Sequence, residues 1–115
     1  MWSASSNLLI IGRTAKPFNP LLGETYELVT PQYRFYAEQV SHHPPIECMN
    51  CQGVGFECYQ TIDSKMNFTG KSVQVSDAQP VFVDLETPNG PEQYSVERPK
   101  MVVGNLVIGE RYIEP

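Results

Sequence analysis

Apolar and polar residues alternate in short runs along most of this 115-residue chain, and turn-forming residues separate the runs. From Tyr33 to Val40 the alternation is regular. Tyr33, Phe35 and Ala37 fall on one face, with Arg34, Tyr36 and Glu38 on the other, the period-two signature of a half-buried strand. Comparable runs predict strands over Gly23–Val29, Ile46–Cys51, Val54–Ile62, Phe68–Val75, Val81–Glu86, Gln93–Glu97 and Met101–Ile108. Gln52-Gly53 breaks the second pair, a turn is expected at Ser76-Asp77-Ala78, and Thr87-Pro88-Asn89-Gly90-Pro91 is a strong hairpin signal. The one helix candidate is Ser3–Ile11, with Ser3, Ser5 or Ser6 as N-cap. The expected fold is mostly β: an antiparallel meander forming part of a barrel or sandwich, with a short N-terminal helix.

Composition narrows the function classes. Apolar residues make up 41% and charged residues 18%, which suits one folded domain rather than a disordered chain. Eight basic against thirteen acidic residues give 8 − 13 = −5, a poor balance for nonspecific nucleic-acid binding. No apolar run approaches the roughly 18 residues of a membrane-spanning helix. Leu8-Leu9-Ile10-Ile11 is too short for a signal-peptide core and no basic segment precedes it. With the odd count of three cysteines, Cys48, Cys51 and Cys58, this leads to the expectation of a protein that is not secreted.

Two stretches carry candidate chemistry. In Lys16-Pro17-Phe18-Asn19-Pro20-Leu21-Leu22-Gly23-Glu24, two prolines fix φ and push Lys16 and Asn19 out of helical geometry. A rigid loop of this kind presents a cation and an amide to an anion, or is a solvated surface turn. In Glu38-Gln39-Val40-Ser41-His42-His43-Pro44-Pro45, the prolines remove two backbone donors and keep the segment out of a sheet's middle. Adjacent strand residues point to opposite faces, so both imidazoles reach one ligand only if the chain leaves strand geometry near Ser41. A phosphate monoester suits them, because its charge favours the protonated rings and draws donors from each; the alternative is a pair of loop histidines with nothing bound.

Ser5-Ser6, Arg13-Thr14, Lys16 to Thr25 with Glu27-Leu28, and Glu38 to Pro45 closely resemble the oxysterol-binding-protein-related family of lipid-transfer proteins. Phe68-Thr69-Gly70-Lys71 is similar to that family's Phe-x-Gly-Lys strand, and Val102 to Glu114 is similar, more loosely, to its Asn-Leu-x-x-Gly-x-x-Tyr-x-Glu strand. The resemblance implies part of a large, nearly closed antiparallel β-barrel with a lipid tunnel. It implies lipid binding and transfer between membranes, of a sterol or another lipid, with phosphatidylinositol 4-phosphate as exchange ligand. By motif, His42 and His43 would contact the inositol 4-phosphate, and Lys16, helped by Asn19, the other phosphate of the headgroup. Residues 1–115 would then be the N-terminal to middle portion of the family's domain, with the lid and C-terminal half absent. Peripheral membrane contact, a cytoplasmic location, no cofactor and no covalent chemistry are the further expectations. Headgroup affinity is expected to weaken as pH rises through the range in which imidazoles lose their charge.

Three other readings compete. A small self-contained barrel of the fatty-acid-binding type would fit 115 residues, with Arg34 and Tyr36 as candidate carboxylate holders, but it leaves the two long motifs unexplained. A truncated, non-functional fragment of the barrel is the second. A zinc site or hydrolase is the third: Cys48-x-x-Cys51, Cys58 and the histidines supply soft ligands, yet no second ligand pair stands at zinc spacing. Odd spacing in a strand would point Cys48 and Cys51 to opposite faces. Ser41 beside His42 is a neighbour in sequence, not a positioned nucleophile–base pair. Glu24 would pair with Lys16 or Arg13, or be solvated.

Overall fold

The computed structural model describes residues 18–105 and the backbone of 112–114. The helix expected over Ser3–Ile11, the cation Lys16 and the end of the last predicted strand lie outside the described residues. Within them the regular structure is entirely β, in ten strands: β1 Thr25–Val29, β2 Tyr33–His42, β3 Pro45–Gly53, β4 Phe56–Ile62, β5 Ser64–Phe68, β6 Val73–Asp77, β7 Val81–Thr87, β8 Gly90–Val96, β9 Met101–Gly104 and β10 Tyr112–Glu114. They form two sheets, one of order β1-β2-β3-β4-β7-β8 and one of order β10-β9-β6-β5, and every pairing is antiparallel.

The six-stranded sheet belongs to a unit made from residues 19–63 and 79–97. Its register assigns each side chain to a face. Leu28, Phe35, Cys51, Cys58, Val83 and Tyr94 stand in register on one face, with Tyr26, Ala37, Met49, Phe56 and Leu85 beside them. Glu27, Tyr36, Asn50, Tyr59 and Phe82 mark the other face, together with Arg34, Glu38, Gln52, Glu57, Asp84 and Gln93. One face is therefore predominantly apolar and the other predominantly polar, as the alternation in β2 predicts. The polar face is laced by side-chain bonds. Arg34 Nε donates to Glu27 Oε1 at 2.7 Å, Asn50 Nδ2 to Glu57 Oε1 at 2.6 Å, and Gln93 Nε2 to Asp84 Oδ1 at 2.8 Å. The apolar face is only partly covered: Tyr26 remains 59% and Tyr94 51% exposed, while Phe35, Met49 and Phe56 are half-buried.

Two turns explain how these strands begin and end. Val54-Gly55 joins β3 to β4, and Gly55 at φ 76° takes the left-handed conformation that the turn requires, so β4 starts at Phe56 rather than at Val54. The Phe56 ring packs over Gly53, where an added Cβ would lie 2.1 Å from the ring. At the turn between β7 and β8, Thr87 Oγ1 accepts from the Asn89 amide at 3.3 Å and donates to Gly90 O at 2.7 Å, closing the predicted hairpin.

The second unit is built around residues 64–78 and the chain from Arg98 onward. Here the structure departs from the strand expected over Phe68–Val75. Phe68 ends β5, Val73 begins β6, and Thr69-Gly70-Lys71-Ser72 is the turn between them, closed by the Thr69 amide donating to Ser72 O at 2.9 Å. The expected turn at Ser76-Asp77-Ala78 moves accordingly, since Ser76 and Asp77 are paired strand residues. Asp77 is held by Ser64 Oγ and by Arg98 Nη1, the latter at 3.2 Å. The predicted strand from Met101 is cut at Gly104, where Asn105 takes φ 54°. Among the described residues, Met101 alone is a buried hydrophobic side chain.

Candidate functional site

The candidate site begins where β2 departs from regular pairing. Gln39 is opposite Glu47, but Ser41 is opposite Ile46, so two steps on β2 match one on β3 and Val40 is an extra residue, a β-bulge. The departure from strand geometry expected near Ser41 is thus present one residue earlier. The bulge shifts everything after it to the opposite face: His42 pairs with Pro45, which shares its parity with Glu47 and Met49. His42 therefore falls on the apolar side of the sheet.

His43 and Pro44 form the β2–β3 turn, with a cis peptide bond between them, and β3 starts at Pro45. Both prolines lie at the end of the sheet, as their missing donors demand. The two imidazoles are adjacent, with ring centroids 4.5 Å apart and planes inclined at 52°. Both histidines are exposed. Two neighbouring rings that each offer ring nitrogens to one volume of solvent can act together on one multiply charged oxyanion.

Asn19 lies in the exposed extended segment before β1. That segment is tied to the same end of β2. The Gly23 amide donates to Gln39 O at 2.8 Å, and the Gln39 amide donates to Glu24 O at 3.2 Å. Glu24 itself has a local task rather than an ion pair among the described residues. The Leu21 amide donates to Glu24 Oε2 at 2.6 Å while the Glu24 amide donates to Leu21 O at 2.9 Å, so residue 24 clamps the turn from both directions. Leu21 and Leu22 are left 74% and 64% exposed on this turn.

Sequence reasoning passed over Gln39. It has the parity of Tyr33, Phe35 and Ala37, and a polar residue continuing an apolar face was the signal. It is among the most buried of the described residues, at 2% exposure, and its Oε1 has no hydrogen-bond partner among them.

The rival sites do not assemble. Arg34 and Tyr36 are on the polar face, where Arg34 is paired with Glu27 and the Tyr36 hydroxyl donates to Glu38 Oε2 at 2.9 Å. That bond raises the Tyr36 pKa above its ordinary 10.0 and commits its hydroxyl proton to a carboxylate of this chain. Cys51 and Cys58 are direct cross-strand partners on the apolar face, while Cys48 has the opposite parity and meets Thr61 at 3.7 Å. Burial pushes the Cys58 thiol up, and the neighbouring Cys51 adds to it. Among the described residues, no group of three or more His, Cys, Asp or Glu side chains is placed to hold a metal ion. A depression of about 510 Å³ on the polar face is lined by Tyr36, Glu38, Asn50, Tyr59 and Asp84, groups already committed to one another or to neighbours. No helix among the described residues is long and apolar enough to cross a membrane.

Comparison with known proteins identifies this arrangement. The family model for oxysterol-binding protein matches residues 1–115. The chain belongs to the oxysterol-binding protein family. It is similar to human oxysterol-binding protein-related protein 2, with 43% identity over 106 residues, covering 89% of this chain and 22% of that protein. A second relative is oxysterol-binding protein homolog 3 of Saccharomyces cerevisiae, 35% identical over 102 residues, covering 87% of this chain and 10% of that one. Among solved structures, the Osh1 ORD domain in complex with cholesterol matches with a TM-score of 0.80 at 32% identity, over 89% of this chain and 25% of that chain. The Osh3 ORD from Saccharomyces cerevisiae in complex with PI(4)P matches with a TM-score of 0.78 at 35% identity, over 87% of this chain and 27% of that chain. The mostly antiparallel β fold is thus that of the family's ORD barrel, and the chain spans about a fifth of the length of the human relative. Family membership also sets aside the self-contained fatty-acid-binding barrel.

Proposed function

We propose that this chain is the N-terminal to middle portion of an oxysterol-binding-protein-type domain, and that it binds a lipid for transfer between membranes without covalent chemistry. The observation that carries this reading is the adjacent imidazole pair of His42 and His43 at the end of a sheet with one apolar face. His42, His43 and Asn19, with Lys16, hold the phosphates of a phosphatidylinositol 4-phosphate headgroup. The apolar face, with Phe35, Met49, Phe56 and Leu85, takes the hydrocarbon body of that lipid or of a sterol. Removing that hydrocarbon from water supplies about 25 cal/mol per Å², while the charged donors supply the selectivity for phosphate. Two solved relatives of this fold hold cholesterol and PI(4)P, which supports both halves of the reading. The protein would work at the cytoplasmic surface of membranes as a peripheral visitor.

The deciding experiment pairs two ligands. His42→Ala with His43→Ala should abolish binding of short-chain phosphatidylinositol 4-phosphate and leave cholesterol binding within about twofold. Equal loss of both ligands would mean that the turn is a folding element, and unchanged phosphoinositide affinity would remove the histidines from the site.

A further inference from the structure

Among the described residues, Gln39 and Gln60 are the buried polar side chains, and Gln39 is the one on the strand that carries His42. Its backbone is fully used, the amide on Glu24 O and the carbonyl on the Gly23 amide. The side chain, 2% exposed, is aligned by register with the apolar face, and its Oε1 carbonyl accepts no hydrogen bond. A buried acceptor without a donor costs folding free energy, so its retention calls for a ligand that supplies one. Directly across on β3 stands the half-buried Glu47, whose carboxylate form also only accepts. Gln39 Oε1 and the Glu47 side chain thus set acceptors on directly paired positions of this face. One step further along β2, beyond the bulge, His42 returns to the same face.

The chemistry that matches is a lipid hydroxyl. Phosphate oxygens are acceptors and are met by the histidines, Asn19 and Lys16. A buried lipid also carries O–H donors, on an inositol ring or on a sterol, and these must find acceptors once water is gone. We infer that Gln39 Oε1 accepts a hydrogen bond from a hydroxyl of the bound lipid and so selects hydroxylated lipids over capped ones. This inference rests on the lipid-binding reading above. A site that holds a hydroxyl by a buried acceptor discriminates against analogues lacking it, because the acceptor is then stranded.

The test uses the full chain with Gln39→Met, which keeps the length of the side chain and removes its carbonyl. Affinity for either cholesterol or short-chain phosphatidylinositol 4-phosphate should fall roughly three- to tenfold, while thermal stability stays equal or rises because a stranded acceptor has gone. The lipid that is affected identifies which hydroxyl is read. Unchanged affinity for both lipids overturns the inference, and so does equal weakening of both with a lowered melting temperature, which marks a structural residue. A measurement on the unaltered chain needs no variant: the Gln39 side-chain amide resonances should shift on adding the affected lipid, and resonances that stay in place with both overturn the inference. Failure of the lipid reading looks different, since binding of neither lipid by the unaltered chain, or full phosphoinositide affinity after His42→Ala with His43→Ala, removes the site itself.

Discussion

Gln39 and His42 share one face of the sheet although they stand three positions apart, because Val40 is inserted into β2 without a partner on β3. In an unbroken strand, positions three apart point to opposite sides. The bulge therefore decides whether the first imidazole stands over the apolar face or over the polar one.

Deleting Val40 tests that relationship. With Val40 gone, Ser41 still stands opposite Ile46 and His42 opposite Pro45, so both keep their faces and only the local bend of the bulge is lost. Phosphatidylinositol 4-phosphate binding should therefore persist within about threefold, with far-UV circular dichroism still showing β structure. Loss of affinity in a folded deletion variant would mean that the bend, and not the face alone, positions the histidines.

Glu24 gives a second prediction. Its carboxylate accepts from the Leu21 amide at 2.6 Å, and its own amide donates back to Leu21 O at 2.9 Å. Glu24→Ala removes the first bond and keeps the second, so folding should weaken by about 1 kcal/mol, the size of one exposed charge-assisted bond. Glu24→Gln keeps an acceptor and should recover most of that loss. Urea midpoints of the three proteins decide it. Equal destabilisation by Ala and Gln would place the importance of Glu24 in its charge rather than in the turn.

Gly53 is a third test, from close packing instead of hydrogen bonding. A Cβ there meets the Phe56 ring at 2.1 Å and Gln32 O at 2.9 Å. The ring must leave its place or the hairpin must shift, and overpacking of this kind costs about 1–3 kcal/mol. Gly53→Ala should therefore unfold at lower urea, and Gly53→Ala with Phe56→Leu should recover part of the loss. No recovery would assign the cost to the Gln32 carbonyl contact.

Much of this arrangement was legible in the residues themselves. The parity of Tyr33, Phe35 and Ala37 named the apolar face of β2, and the His-His-Pro-Pro run placed a turn where backbone donors run out. What escaped was contained in short connections. Asp63 alone separates β4 from β5, yet the two strands belong to different sheets, and no local pattern marks such a change. Likewise Phe68, Val73 and Val75 look like one strand interrupted by polar residues, whereas Gly70 at φ 89° folds the segment back on itself. Gln39 and Glu24 escaped for another reason: the role of each depends on what is buried or bonded around it, and that is a property of the folded chain.

Cys58 supplies a prediction about reactivity. Burial is the first cause that raises its thiol above the ordinary value of 9.0, and its cross-strand neighbour Cys51 is the second. Because the thiolate is the nucleophile, alkylation of Cys58 by iodoacetamide at a pH near 8 should be slower in the folded chain than in the same chain in urea. Cys51→Ala should speed it only in part, since burial remains. Site-resolved mass spectrometry follows each cysteine separately, and equal rates in folded and unfolded chains would remove burial as the cause.

The same groups set the response to alkali. Besides Cys58, Tyr36, Tyr59 and Tyr94 are raised above 10.0, Tyr36 and Tyr94 chiefly by hydrogen bonds to Glu38 and Glu92, and Tyr59 chiefly by burial with Asp84 adding to it. All four hold their protons more tightly folded than unfolded. The unfolded state is thus the first to lose protons as pH rises, and the folded state loses stability with it. Stability from these groups is fully present below about pH 9, begins to fall as the unfolded thiol titrates, and falls further above about pH 10 as the unfolded phenols follow. Urea midpoints measured across that range should decline. Tyr94→Phe, which removes an exposed phenol beside Glu92, should flatten the upper part of the decline without altering the midpoint near neutrality by more than a few tenths of a molar. A profile as steep as that of the unaltered chain would show that the Tyr94–Glu92 bond contributes nothing to it.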